Sequence, residues 1–259
     1  MHNDTLLQYY LDEKVTAFST RRYGGVSKGD YASFNVNSYC GDDFDDVKEN
    51  RRSLCQLLEI TTDHLIMPHQ THGTQIRLID DHFLDQDDSG RHHLLEGVDA
   101  LITRERKVCI GVSTADCIPL ILYDPVHHAC GVVHAGWRGT VARIVNHALS
   151  AMVEHFSSQP KDIMAVIGPG ISLDAFEVGQ EVYDAFSQSD FPMHLIAVRY
   201  EKWHINLPLC NRLLLTDAGV ADCHIHEAAV CTFNNPHEFF SARRLGVLSG
   251  RILTAIMLR

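Results

Sequence analysis

The chain has 259 residues, with 33 Asp and Glu against 22 Lys and Arg, and a formal net charge of −11. Its basic residues are scattered, which argues against a nucleic-acid surface, because neutralising phosphates needs clustered Lys and Arg. The hydrophobic fraction of 45% and charged fraction of 21% are ordinary for a globular protein, and no apolar run approaches the ~18 residues of a membrane-spanning helix.

The first fourteen residues, MHNDTLLQYYLDEK, lack a basic region followed by an apolar stretch. They do not read as a signal peptide, and a cytoplasmic location is expected. In such a reducing compartment the cysteines (Cys40, Cys55, Cys109, Cys117, Cys130, Cys210, Cys223 and Cys231) are read as free thiols. No Cys-x-x-Cys pair occurs, so finger and ribbon zinc sites are excluded on spacing.

Short runs rich in Val and Ile, bounded by Gly, Pro or Asp, predict strands over residues 15–19, 64–67, 75–79, 100–103, 108–113, 119–123 and 130–134. A helix is predicted over 47–58. A wide apolar stripe (Val141, Ile144, Val145, Ala148, Leu149, Met152, Val153, Phe156) predicts a long one over 141–156. Further helices are expected over 178–186 and 209–218, and the acidic stretch 80–97 reads as a long exposed loop. Strand runs broken by few helices favour an α+β domain of mixed sheets over regular βαβ winding, with residues 1–259 as one domain.

The densest chemistry lies in residues 111–140, GVSTADCIPLILYDPVHHACGVVHAGWRGT. Two strands joined by the loop 123–129 can lie antiparallel and bring Cys117 near His134. A thiolate and an imidazole at neighbouring strand ends make either a metal site or a nucleophile with its base; a buried inert Cys with a hydrogen-bonded His is the plain alternative. Gly136 and Gly139 allow close backbone approach, and Arg138 sits where a helix N-terminus already favours anions. A third ligand would come from residues 67–74 (MPHQTHGT), where spacing does not choose between His69 and His72. Three ligands with one open position is the catalytic zinc pattern.

Other motifs carry less. Gly25-Val26-Ser27-Lys28-Gly29 matches the G-x-S-x-G elbow, but residues 30–36 do not read as a helix, so Ser27 is not expected to be a nucleophile. Arg51 sits on a helix that could face a cleft. Gly168-Pro169-Gly170, before a helix bearing Glu177, suggests a pocket wall. Cys223-His224-Ile225-His226 looks like a metal cluster, yet strand alternation would put its histidines on one face and Cys223 on the other.

Taken together, these segments resemble the YfiH-like family, whose members go by the names multicopper polyphenol oxidase, laccase-domain protein and purine nucleoside phosphorylase. The resemblance is carried by Arg22-x-Gly24-Gly25-Val26-Ser27, Ser33-x-Asn35, Gly41-Asp42-Asp43, Val47-x-x-Asn50-Arg51, Gln70-x-His72-Gly73 and Asp99-Ala100-Leu101. It continues in Thr114-Ala115-Asp116-Cys117-x-Pro119, His134-Ala135-Gly136-Trp137-Arg138-Gly139, Ile167-Gly168-Pro169-Gly170-Ile171, Glu177-Val178, Cys231-Thr232, Phe240-Ser241-x-Arg243-Arg244 and Gly250-Arg251. Leu245-Gly246-Val247-Leu248 departs from the more polar turn expected there.

The resemblance implies layered mixed β-sheets flanked by helices, a cysteine-hydrolase-type fold, with a metal held by His72, Cys117 and His134 rather than His69. Three ligands with an open position make zinc the expected metal, with copper as the second choice. The implied substrates are purine nucleosides and phosphate, through phosphorolysis of adenosine, inosine, guanosine or methylthioadenosine and hydrolytic deamination of adenosine. On that reading Asp116 is the candidate acid/base, with positioning of a ligand as its alternative. Arg51 and Arg138 are the candidate anion cradle, and Asn35 a substrate hydrogen-bonder. The H-x-E with P-C-x-x-C deaminase signature is absent. Two other activities compete: a copper-dependent polyphenol oxidase (laccase), and a Cys117/His134 amide hydrolase acting in peptidoglycan precursor editing. A non-enzymatic interaction module is the third rival.

Overall fold

The computed structural model describes residues 5–259. In chain order these form strands β1 (Leu6–Tyr9) and β2 (Val15–Thr20), helix α1 (Phe44–Leu58), strands β3 (Leu65–Ile66) and β4 (Gln75–Ile79), and helices α2 (Asp81–Leu84) and α3 (Asp88–Leu95). Strands β5 (Val98–Thr103), β6 (Cys109–Thr114), β7 (Ile118–Asp124) and β8 (Ala129–Ala135) come next, then helices α4 (Trp137–Val141) and α5 (Ile144–Phe156). The remainder is β9 (Met164–Ile167), β10 (Glu177–Val178), α6 (Gln180–Gln188), α7 (Met193–Ile196), β11 (Ala197–Arg199), β12 (Trp203–Ile205), α8 (Leu207–Asp217), β13 (Ile225–Glu227), α9 (Ala242–Leu245) and β14 (Ile252–Leu258).

Two sheets stack. One has the order β1-β2-β14-β6-β3, the other β13-β9-β7-β8-β5-β4, and a small β10-β12-β11 sheet lies apart. Both large sheets mix parallel and antiparallel pairs. Strand alternation sorts the side chains into layers. Ile256 and Leu258 of β14 join Ile121 and Tyr123 of β7 and Val132 of β8 in the core between the sheets. Leu253, Ala255 and Met257 face outward onto Leu54, Cys55 and Leu58 of α1. Leu120, Leu122 and Val133 face the opposite way, onto Ile144, Ala148 and Met152 of α5 and Leu214 of α8. The result is helix, sheet, sheet, helix. With both faces covered, β7, β8 and β14 are buried along their whole length, which is why β7 and β8 read as continuous apolar runs.

Four expectations need correction. The stretch 80–97 is not a loop but contains α2 and α3, whose N-caps Asp80 and Asp87 accept the N–H groups of Phe83 and Gly90. Each helix buries a single side chain, Phe83 or Leu95, so neither has an apolar stripe to announce it. The predicted 141–156 helix is broken: α4 ends at Val141 and Arg143 takes a left-handed conformation (φ 58°) as the N-cap of α5. Glu177 and Val178 lie on β10 rather than on a helix, and Glu177 is exposed and paired with Lys202 at 2.7 Å. Residues 222–224 form a 3-10 turn before β13, so Cys223 is exposed while Ile225 is buried. Among the described residues, no helix is long and apolar enough to cross a membrane.

Candidate metal centre

Strands β7 and β8 pair antiparallel as expected, with Pro119 opposite His134 and Ile118 opposite Ala135. Cys117 stands one residue before β7, so the hairpin delivers it to the end of β8 that carries His134. The turn from β6 into β7 passes through Asp116 in the left-handed region (φ 90°). Its carboxylate holds the turn: Oδ1 accepts the Thr232 hydroxyl at 2.7 Å and Oδ2 the Arg243 N–H at 2.7 Å.

His72 comes from the loop between β3 and β4 and is itself left-handed (φ 63°). Three consecutive amides of this loop close on Asp99, a fully buried carboxylate of β5. His72 N–H donates to Oδ1 at 3.0 Å, while Gly73 and Thr71 donate to Oδ2 at 2.7 and 3.2 Å. Asp99 Oδ1 also lies 2.7 Å from His134 Nδ1. Burial works against the charged form of Asp99. The hydrogen bond and charge of His134, with the Gly73 and Thr71 amides, overcome it and hold the carboxyl below its usual range.

These supports bring the donor atoms of His72, Cys117 and His134 within 4.8 Å of one another. The two imidazoles meet edge to face, centroids 4.8 Å apart. Burial disfavours the Cys117 thiolate, but the charge of His134 and hydrogen bonds to both histidines bring the thiol down to about 6. His134, likewise opposed by burial, is raised to about 9 by Cys117 and Asp99. The donor set fits a resident metal. Asp99 engages Nδ1 of His134 and leaves Nε2 for a metal, the usual orienting arrangement for a metal-ligating histidine. A thiolate with two imidazoles suits zinc or copper. Gly136 permits the approach: a Cβ there would sit 3.0 Å from both Cys117 Sγ and His72 Cδ2. His69 is not in the cluster; its Nδ1 lies 2.8 Å from Glu96 and its ring stacks on Tyr39. Among the described residues no second group of three His, Cys, Asp or Glu donors could hold a metal.

The cluster opens into a cavity of about 250 Å³, whose walls include Asn37, Tyr39, His69, Gln70, Thr114, Val247 and Arg251. Gln70 is spent on structure, since its amide donates to Ser113 O and accepts Ser113 N–H. Thr114 is almost fully buried and its hydroxyl has no hydrogen-bond partner among the described residues. The other expected site residues stand off this cavity. Arg51 lines a separate cavity of about 680 Å³ with Lys48 and Phe44. Arg138 is exposed, its guanidinium 4.3 Å from the Trp137 ring centroid. Asn35 is fully buried, its Nδ2 donating to Asp42 and its Oδ1 accepting the N–H groups of Asn37 and Arg251. Ser27 is buried between Asp42 and Asn50, and among the described residues no histidine is hydrogen-bonded to it. Gly168 and Gly170 do form a wall, but of a third cavity beside Cys231.

Sequence reasoning placed Asp99 and Arg251 among the segments that carry the resemblance but gave neither a role at the site. The available signal for Asp99 was a charged residue inside an apolar strand, VDALIT; a charge in such a place is buried only when paired or hydrogen-bonded.

Residues 16–259 match the model of the family described as multi-copper polyphenol oxidoreductase laccase. A purine nucleoside phosphorylase of Bacteroides thetaiotaomicron is 46% identical over 247 residues, covering 94% of this chain and 92% of that protein. Adenosine deaminase RL5, from an unknown prokaryotic organism, is 42% identical and covers 94% of each. The crystal structure of YfiH from Bacillus licheniformis superposes with a TM-score of 0.92 at 29% identity, covering 99% of this chain and 97% of the other. That of YlmD from Geobacillus stearothermophilus gives 0.88 at 32% identity, covering 95% and 93%. The chain belongs to the multi-copper polyphenol oxidoreductase laccase family, among the relatives of YfiH and YlmD.

Proposed function

We propose that this protein is a zinc-dependent purine nucleoside enzyme, cleaving nucleosides with phosphate and deaminating adenosine with water. The observation that carries the reading is the convergence of His72, Cys117 and His134 within 4.8 Å at the wall of one cavity. The names of the relatives at 46% and 42% identity supply the substrate class.

In phosphorolysis a phosphate oxygen bonds to the anomeric carbon, the glycosidic bond breaks, and the purine leaves with a proton. In deamination water replaces the exocyclic amine and ammonia leaves. A zinc ion held by the three side chains would supply a Lewis acid with an open coordination position. The protein's part is positional: Asp99 orients His134 and fixes the His72 loop through its amides. Asp116 braces the Cys117 turn from Thr232 and Arg243.

A second reading has its own support. Asp99, His134 and Cys117 line up as orienter, base and nucleophile, as an amide hydrolase would need. His72 favours the metal instead, because a second imidazole at the thiolate has no task in that triad. Multicopper oxidation would call for more metal positions than this one cluster supplies.

The test is incubation of zinc-loaded protein with adenosine, with and without phosphate. Adenine release that needs phosphate, with inosine formed without it, and loss of both on chelation, are expected. Turnover that survives chelation, or a covalent adduct on Cys117, would sink the reading.

A further inference from the structure

Phosphorolysis needs an anion beside the reacting centre, and neither Arg51 nor Arg138 lines the cavity that opens on the cluster. Arg251 does, and among the described residues of that wall it is the one Lys or Arg. Its backbone N–H donates to Asn35 Oδ1 at 3.1 Å, and the preceding residue, Gly250, donates its N–H to Asp30 O at 3.2 Å. Its guanidinium bridges the turn before it, Nη1 donating to Ser249 O at 2.6 Å and Gly250 O at 3.0 Å, Nη2 to Val247 O at 2.8 Å. Carbonyls orient a guanidinium without cancelling its charge. No carboxylate forms an ion pair with Arg251 among the described residues, and a guanidinium has five N–H donors, more than these carbonyls use.

We propose that Arg251 is the anion-holding residue of this site, fixed by the 247–250 turn to receive inorganic phosphate across the cavity from His72, Cys117 and His134. Asn35 then acts through it, since one amide oxygen gathers the N–H groups of Asn37 and Arg251, both wall residues. The assignment of phosphate as the anion rests on the nucleoside phosphorolysis reading.

The experiment titrates inorganic phosphate into zinc-loaded wild type, R251Q, R251K and R51Q, following thermal unfolding, and measures phosphate KM with inosine. Losing a charge-assisted contact should weaken phosphate binding and raise phosphate KM about tenfold or more in R251Q. The KM for inosine should change far less, and R51Q should behave as wild type. R251K keeps the charge and should recover part of the phosphate response; equal loss in both, with a fall in phosphate-free unfolding temperature, would reduce Arg251 to a clamp on its turn. Phosphate stabilisation equal in wild type and R251Q overturns the proposal, as does its absence in wild type. Phosphate binding that depends on Arg251 without base release would retain the anion site and discard phosphorolysis. Base release with unchanged phosphate KM in R251Q would do the reverse.

Discussion

Asp99 ties both histidines of the cluster to one point: its Oδ1 lies 2.7 Å from the His134 ring Nδ1 and accepts the backbone N–H of His72 at 3.0 Å. In Asp99→Asn one side of the group can still accept, but the amide nitrogen would then confront donors, either the Gly73 and Thr71 N–H groups or His134. A fully buried site cannot relieve that clash with water. We expect a stability loss of about 1–3 kcal/mol and a zinc affinity lower by about 10–100-fold. Competition against a chromophoric chelator measures the second; an unchanged zinc affinity would contradict the role given to Asp99.

Gly136 is required by space rather than by backbone angle. An added methyl would press on Cys117 Sγ and His72 Cδ2, each 3.0 Å away, and the backbone carrying these two side chains is fixed by Asp99 and the β7–β8 register. Gly136→Ala is therefore expected to fold, with native circular dichroism, and to bind zinc at least about tenfold more weakly. Gly139→Ala is the comparison, since its nearest neighbours stand 3.4 Å or farther away. Equal zinc affinity in the two variants would remove the steric argument.

The legible parts of the fold were those where one physical signal dominated. Both faces of β7 and β8 are covered, so their apolar runs stood out, and the short loop between them dictated the pairing that joins Cys117 to His134. The equally buried β14 passed unnoticed at the end of the chain, although ILTAIML carries the same signal. Helices α2 and α3 lay beyond periodicity because each buries one residue, and only their Asp caps marked them. The break at Arg143 has no Pro or Gly to announce it. At the site, spacing left His69 and His72 equal. What separates them is three-dimensional: His69 is engaged by Glu96 and Tyr39, while the Asp99 amide nest holds the His72 backbone where its exposed ring meets Cys117 and His134. Arg251 was hidden for a related reason, as its place in the wall depends on Asn35, more than 200 residues away in sequence.

In metal-free protein the Cys117 thiol, lowered to about 6, stays a thiolate at any pH above that value and loses its charge below it. Its alkylation by iodoacetamide should rise through a midpoint near pH 6 and level off by about pH 8. Cys109 and Cys130, pushed far up by burial, should stay unmodified while the protein is folded. His134→Gln removes the main group favouring the thiolate, so the midpoint should move up by more than one pH unit. Zinc should protect Cys117 throughout. A midpoint near that of an ordinary thiol in wild type, read by peptide mass analysis, would contradict the ion-pair geometry.

Asp116 presents a choice between proton transfer and bracing, and its neighbours favour bracing. Its two oxygens are engaged by Thr232 Oγ1 and Arg243 N, and its carboxylate stabilises a turn whose φ of 90° an L-residue enters at a cost. If it braces the Cys117 turn, Asp116→Asn and Thr232→Val weaken the same contact from opposite ends. Both should then lower kcat/KM, by about tenfold or less, while leaving both limbs of the pH profile in place. If it transfers protons, Asp116→Asn alone would erase one limb, and Thr232→Val would leave the rate nearly untouched. Thr232 makes the comparison decisive, because it lies outside the cavity wall and its substitution reaches the chemistry only through Asp116.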